Sequence, residues 1–203
     1  MKVKSNTRPS YIEAIDVLYS NTFFISSNPL LRLFPQLIPA KHLACITGLM
    51  LDLELMLYDD QIINTPHDRT DGWTAFTTIL SLLGSETFKN LRELDISYVD
   101  PAPKGNPLTR KEKRKVEQIL QKFDQFLLNL GPRFQHLQVF LTWPLFSVAR
   151  DGAEKHQKGF VQEDIPPRTT RFWRPVSPGH DGSGPGQALG YWVVTGKSGI
   201  GIR

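Results

Sequence analysis

Hydrophobic positions recur with a period of two in three stretches of the chain. In Ile46–Tyr58, Leu49, Leu51, Leu53, Leu55 and Leu57 alternate with Met50, Asp52, Glu54 and Met56. That alternation puts all five leucines on one face of a strand. Leu91–Tyr98 repeats the pattern, with Leu94, Ile96 and Tyr98 set against Glu93, Asp95 and Ser97. His136–Trp143 reads as a third such strand, ended by Pro144. The aromatic and β-branched run Thr22–Ile25 reads as a short strand ahead of them.

Between these runs the period changes to that of a helix. Tyr11–Tyr19 carries Ile12, Ile15 and Tyr19 at helical spacing, with Ser10 and Glu13 as a capping box. Asn28 and Pro29 open a helix over Leu30–Leu37, whose end Pro35 and Pro39 weaken. Trp73–Leu83 is helical through Trp73, Phe76, Ile79, Leu80 and Leu83, with Gly84 placed as a C-cap. The longest helix is expected over Arg110–Leu130. Val116, Ile119, Leu120, Phe123, Phe126, Leu127 and Leu130 form its apolar stripe, Thr109 and Glu112 its capping box, and Gly131-Pro132 its stop. The polar stretch Asp59–Gly72 and the proline-rich Asp100–Leu108 read as loops.

Strands and helices that alternate in this way imply an α/β fold with a mostly parallel sheet. A weak internal repeat supports it. Ile46, Leu49 and Leu51 match Leu91, Leu94 and Ile96, and these match Leu137, Phe140 and, imperfectly, Thr142. The L-x-x-L-x-L opening is the strand signature of leucine-rich repeats, here in longer units. Residues 11–148 are therefore expected to form one α/β, leucine-rich-repeat-like domain, with a disordered N-terminus over residues 1–10. Residues 149–170 are charged and weakly periodic and read as a linker. Residues 171–203 read as a tail in which Arg171-Phe172-Trp173-Arg174 and Gly190-Tyr191-Trp192-Val193-Val194 pair as two strands across a glycine-rich connection.

Composition narrows the class. Apolar residues make up 40% of the 203-residue chain, enough for a real core. The net charge of +4 permits an acidic partner without demanding one. A single cysteine, Cys45, rules out an internal disulfide and a multi-thiolate zinc site. Asp52 and Glu54 interrupt the greasiest stretch, so no membrane span is expected. Met1–Ser10 has no signal-peptide core, and a soluble intracellular protein is the expectation.

The segment Glu13-Ala-Ile-Asp-Val-Leu-Tyr-Ser-Asn-Thr-Phe-Phe-Ile25, the leucine-rich Leu43–Leu53 and the tail Phe172-Trp173-Arg174…Gly190-Tyr191-Trp192-Val193 with Gly196 together resemble a group of uncharacterised fungal proteins. These carry a domain of unknown function, and many look like relatives of F-box and leucine-rich-repeat proteins. The resemblance implies no catalytic residues. Members of the group usually carry a further N-terminal segment, sometimes F-box-like, where this chain has only Met1–Ser10. A truncated F-box-like ubiquitin-ligase adaptor is thus one expectation.

Catalytic signatures are missing from the sequence. The histidines form no H-x-x-x-H or H-E-x-x-H pair, and no G-x-S-x-G elbow occurs. Gly196-Lys197-Ser198 lacks the upstream glycine and the following helix of a phosphate loop. His67, Asp68 and Asp71, near Asp59 and Asp60, read as a solvated loop, and Cys45 as a structural thiol. Two groups remain as candidate surfaces. Arg110, Lys111, Lys113, Arg114 and Lys115 form a basic patch at a helix entry, where positive charge opposes the macrodipole. Trp173, Arg174, Tyr191 and Trp192, with Arg171, form an arginine–aromatic contact surface. The expectation is a non-enzymatic protein-interaction module without cofactor or metal, binding an unknown protein partner through its sheet or its loops Asp59–Gly72 and Asp100–Leu108. A nuclear or nucleic-acid-contacting regulator working through the basic patch is the alternative.

Overall fold

In a computed structural model of the chain, the residues described are 17–19, 21–26, 28–54, 72–99, 108–130, 133–156, 160–165, 169–176 and 189–195. The expected helix over Tyr11–Tyr19 lies outside them except for residues 17–19, which are helical. In chain order the elements are β1 (Thr22–Ile25), α1 (Asn28–Leu37), α2 (Ala40–Leu43), β2 (Gly48–Glu54), α3 (Gly72–Gly84), β3 (Glu93–Val99), α4 (Arg110–Leu130), β4 (His136–Leu141), α5 (Trp143–His156), β5 (Gln162–Ile165), β6 (Thr169–Pro175) and β7 (Gly190–Thr195). The seven strands form one sheet in the order β1-β2-β3-β4-β7-β6-β5. β1 to β4 and β7 run parallel, and β6 is antiparallel to both β7 and β5. The α/β class and the mostly parallel sheet expected from the sequence are present.

The order β1-β2-β3-β4 steps one strand at a time in one direction. Right-handed crossovers then place every returning helix on the same face of the sheet. The contacts agree. Phe34 of α1 meets Phe23, Phe123 of α4 meets Tyr98 and Tyr191, and Phe146 of α5 meets Phe172. The register puts Phe23 in a row with Leu49, Leu94 and Leu137, Phe172 in a row with Leu51, Ile96, Val139 and Val193, and Tyr98 in a row with Leu53 and Leu141, and strand alternation turns these and Tyr191 to one face. All of these row residues but the half-buried Phe23 are buried. They form one hydrophobic cluster with the apolar stripes of the helices, including Ile79, Leu83, Leu120 and Leu127.

Parallel strands buried on both faces read as continuous apolar runs. These strands alternate instead, so the second face is only half removed from water. Met50, Asp52, Asp95, Ser97, Gln138 and Phe140 are half-buried there.

The structure revises the sequence reading in five places. The repeat registers Leu49 with Leu94 as expected, but Leu94 pairs with Leu137, not with Phe140. The expected match is out by three residues. An odd slip would turn Leu137, Val139 and Leu141 to the wrong face, and burial forbids it. The linker expected over residues 149–170 contains most of α5, all of β5 and the start of β6. Pro144 stands in the first turn of α5 and marks a helix start rather than only a strand end. Leu145, Phe146, Ala149 and Ala153 supply its buried side. The two aromatic strands pair as expected, yet β7 also joins β4, so they complete the main sheet. Gly84, finally, ends α3 without a left-handed conformation and packs on Phe126 and Leu130.

Candidate functional site

No described helix covers the second face of the sheet, and its rows follow from the strand register. One row runs Phe24, Met50, Asp95, Gln138, Trp192 and Trp173. The next runs Asp52, Ser97, Phe140, Val194, Arg171 and Glu163.

At the β5–β6–β7 end the side chains form a ladder. The Trp173 and Trp192 rings stand 5.4 Å apart at 72°. The Arg171 guanidinium carbon sits 4.0 Å from the centroid of the Trp192 ring, in cation–π contact. Arg171 also donates from Nε and Nη2 to Glu163 Oε2 at 2.8 and 2.6 Å. The far end depends on Gly190. A Cβ there would come within 2.5 Å of the Arg174 carbonyl oxygen and 2.7 Å of the Trp173 ring. The glycine lets the indole lie directly on the neighbouring backbone. Trp173 Nε1 is buried without a hydrogen-bond partner.

Nearer the centre, Asp95 Oδ1 stands 3.5 Å from His136 Nε2 and makes no hydrogen bond. Burial raises the Asp95 pKa above its ordinary value. His136 pulls it down and Glu93 pushes it up by smaller amounts. Ser97, the nearest hydroxyl in this row pattern, is four residues along the strand from the position opposite His136. At roughly 3.3 Å per residue that is about 13 Å, too far for the imidazole to activate it.

The structure divides the expected arginine–aromatic surface. Strand alternation sends Trp173 and Trp192 to the helix-free face but Arg174 and Tyr191 to the core face, where both are buried. There Arg174 donates from Nε to Asp124 Oδ1 at 3.0 Å and from Nη2 to Oδ2 at 2.7 Å. The Tyr191 hydroxyl donates to Asp124 Oδ1 at 3.0 Å. Burial alone would lower the Arg174 pKa. The Tyr191 phenol, the hydrogen-bonded Asp124 carboxylate and more distant Glu117 hold it above its ordinary value. Arg174 and Tyr191 therefore tie β6 and β7 to α4 and are no part of a contact surface.

The basic patch lies on the other side of the molecule, at the start of α4. Thr109 and Glu112 cap this helix reciprocally. The Thr109 N–H donates to Glu112 Oε2 at 2.5 Å, and the Glu112 N–H to Thr109 Oγ1 at 3.3 Å. Arg110, Lys111, Lys113 and Arg114 are exposed and Lys115 is half-buried. Arg110, Lys111, Arg114, Lys115 and Gln118 line a shallow cavity of about 470 Å³. The carboxylates of the same helix turn elsewhere: Glu112 into the cap, Asp124 onto Arg174, and Glu117 to within 3.8 Å of Arg174.

Asp95, His136, Asp124 and Glu163 went unflagged in the sequence. The β3 alternation places Asp95 opposite the leucine face, a usable signal, whereas nothing local marks Asp124. Cys45 is half-buried and donates to the Lys41 carbonyl at 3.3 Å. His67, Asp68 and Asp71 lie outside the described residues, as do the loops Asp59–Gly72 and Asp100–Leu108 except for Gly72 and Leu108. Among the described residues no group of three or more potential metal ligands occurs, and no helix is long and apolar enough to cross a membrane.

The family model described as a domain of unknown function, DUF7730, matches residues 1–151. No curated protein and no solved structure matches the chain.

Proposed function

The chain belongs to the DUF7730 family, and from that premise we propose that it is a non-enzymatic protein-interaction module whose recognition surface is the helix-free face of its sheet. One observation carries the reading. A sheet anchored by a helix layer on one side presents half-buried polar and aromatic side chains, among them Phe140, Trp192 and Trp173, on the other. Aromatic and arginine side chains held in fixed positions are the usual anchors of protein interfaces. Strands packed on a core hold them with little further loss of side-chain freedom on binding. Among the described residues the Asp95–His136 pair has no nucleophile beside its imidazole, and this argues against turnover at the face.

The test is affinity capture of the tagged protein from its native extract, compared with Phe140→Ala/Trp192→Ala. Loss of a reproducible protein partner from the variant, with unchanged circular dichroism, is the expected outcome. Capture that ignores both substitutions, or a reproducible substrate conversion, defeats the reading. Recovery of ubiquitin-ligase components extends it toward the truncated F-box-like adaptor.

A second reading rests on α4. The basic residues gather on its outer side while its carboxylates are engaged elsewhere, and this favours contact with a nucleic-acid backbone. Lys113→Ala/Arg114→Ala/Lys115→Ala then removes a strongly salt-dependent binding to duplex DNA or RNA. Unchanged affinity for both argues against it.

A further inference from the structure

The helix-free face divides by chemistry. Toward β2 and β3 its charged residues are the acids Asp52, Asp95 and Glu93, in a chain whose net charge is +4. Toward β4, β7 and β6 it is aromatic and apolar, through Phe140, Val194, Trp192 and Trp173. Among the described residues of these rows the only lysine or arginine is Arg171, already held by Glu163 and Trp192. Among the described residues the acidic half has no lysine or arginine of its own, its one basic neighbour being His136 beside Asp95, and the sign of its charge opposes that of the molecule.

The spacing is also defined. Strands lie about 4.8 Å apart and residues on one face about 6.6 Å apart along a strand. Asp95 is thus about 8 Å from Phe140 on the next strand, and Asp52 about 10 Å from it along their row. Side chains two residues apart share one side of an extended segment and are separated by roughly 7 Å.

We propose that this face, as the recognition surface put forward above, takes an extended peptide segment that sets an arginine or lysine over Asp52 and Asp95 and, two residues away on the same side of the segment, an apolar side chain against Phe140 and Trp192. Charge complementarity selects the cation, and the aromatic half supplies the apolar contact area. An acidic segment is rejected because it would bring like charges onto a partly desolvated carboxylate.

The probe is a labelled peptide repeating Arg-Ser-Leu, with repeats of Glu-Ser-Leu and Arg-Ser-Ser as controls, titrated into the 203-residue chain. Binding of Arg-Ser-Leu in preference to both controls is expected. Asp52→Asn/Asp95→Asn and, separately, Trp192→Ala should each weaken it tenfold or more, and circular dichroism and thermal melting establish that each variant is folded. Equal binding of Glu-Ser-Leu, or unchanged affinity in the folded Asp52→Asn/Asp95→Asn protein, overturns the inference. The capture experiment separates the two levels. A native partner lost with Trp192→Ala but kept with Asp52→Asn/Asp95→Asn leaves the interaction module standing and removes this assignment. A partner kept by both removes the module reading as well.

Discussion

The guanidinium of Arg174 and the carboxylate of Asp124, 50 residues apart in sequence, meet as a two-point pair beneath the sheet, joined by the Tyr191 hydroxyl. This polar contact links the C-terminal strands to the central helix within an otherwise apolar layer. The Arg174 side chain is 10% exposed and that of Asp124 21%, so neither charge is well solvated without the other.

Asp124→Ala is accordingly expected to cost about 3–5 kcal/mol, because it leaves a buried arginine uncompensated. Replacing both partners, as Asp124→Leu/Arg174→Met, is expected to cost much less than the single change. Urea unfolding of the two proteins, monitored by tryptophan fluorescence, checks this. Equal destabilisation would mean that the pair contributes mainly by shape.

Asp95 yields a pH prediction. Its folded-state pKa is raised, chiefly by burial. Between the unfolded value and the raised one, the folded state binds more protons than the unfolded state. The group therefore opposes folding above its folded pKa, and the penalty fades as pH falls toward the ordinary value of 3.8. Asp95→Asn should gain most over the natural protein near neutral pH and least in acid. Denaturant titrations of both proteins across the acid range measure that difference. A difference that grows in acid would contradict the assignment.

Gly190→Ala should destabilise the protein by about 1–3 kcal/mol, because the added carbon meets the Arg174 carbonyl, which is backbone, and the Trp173 ring. Gly48→Ala should cost less. Its nearest neighbour is the Thr22 hydroxyl at 2.6 Å, on an exposed residue of the edge strand that has room to turn away. Melting temperatures of the two variants test the order, and a larger loss for Gly48→Ala would refute it.

Thr109→Ala removes one half of the reciprocal cap and should cost about 0.5–2 kcal/mol. The start of α4 carries five basic residues against the macrodipole, so the loss should diminish as salt is added and the cations are screened. Stability measured at low and high ionic strength reads this directly. A salt-independent loss would assign the effect to the hydrogen bonds alone.

Much of the fold was legible from the sequence. The Leu49, Leu51, Leu53 alternation and the Val116–Leu127 stripe each identify an element and the side it buries, because a single period runs through them without conflict. Alternation does not reveal which neighbour a strand takes. The repeat spacing set Leu137 against Leu91 and Phe140 against Leu94, and only the pairing with β3 puts Leu137 beside Leu94. Trp143-Pro144 was ambiguous for a different reason: proline ends a strand and begins a helix with equal ease. The division of the aromatic tail followed from parity. Residues 173 and 174 must face opposite ways, as must 191 and 192, but a cluster seen in sequence hides that. Asp124 was not visible at all, since its partner is brought to it only by the folded sheet.

The position of β7 has a consequence for how the molecule is made. It is the last described strand in sequence, yet it lies inside the sheet, between β4 and β6. A chain emerging from the ribosome can assemble β1 to β4 with their helices in the order of synthesis. The β5–β6 hairpin then lacks its native neighbour until Gly190–Thr195 arrives. Until that moment the β4 edge stands open, with its hydrogen-bonding groups offered to any passing strand. A nonsense-truncated chain ending before Gly190 would carry that open edge permanently, with the β5–β6 hairpin deprived of its native neighbour.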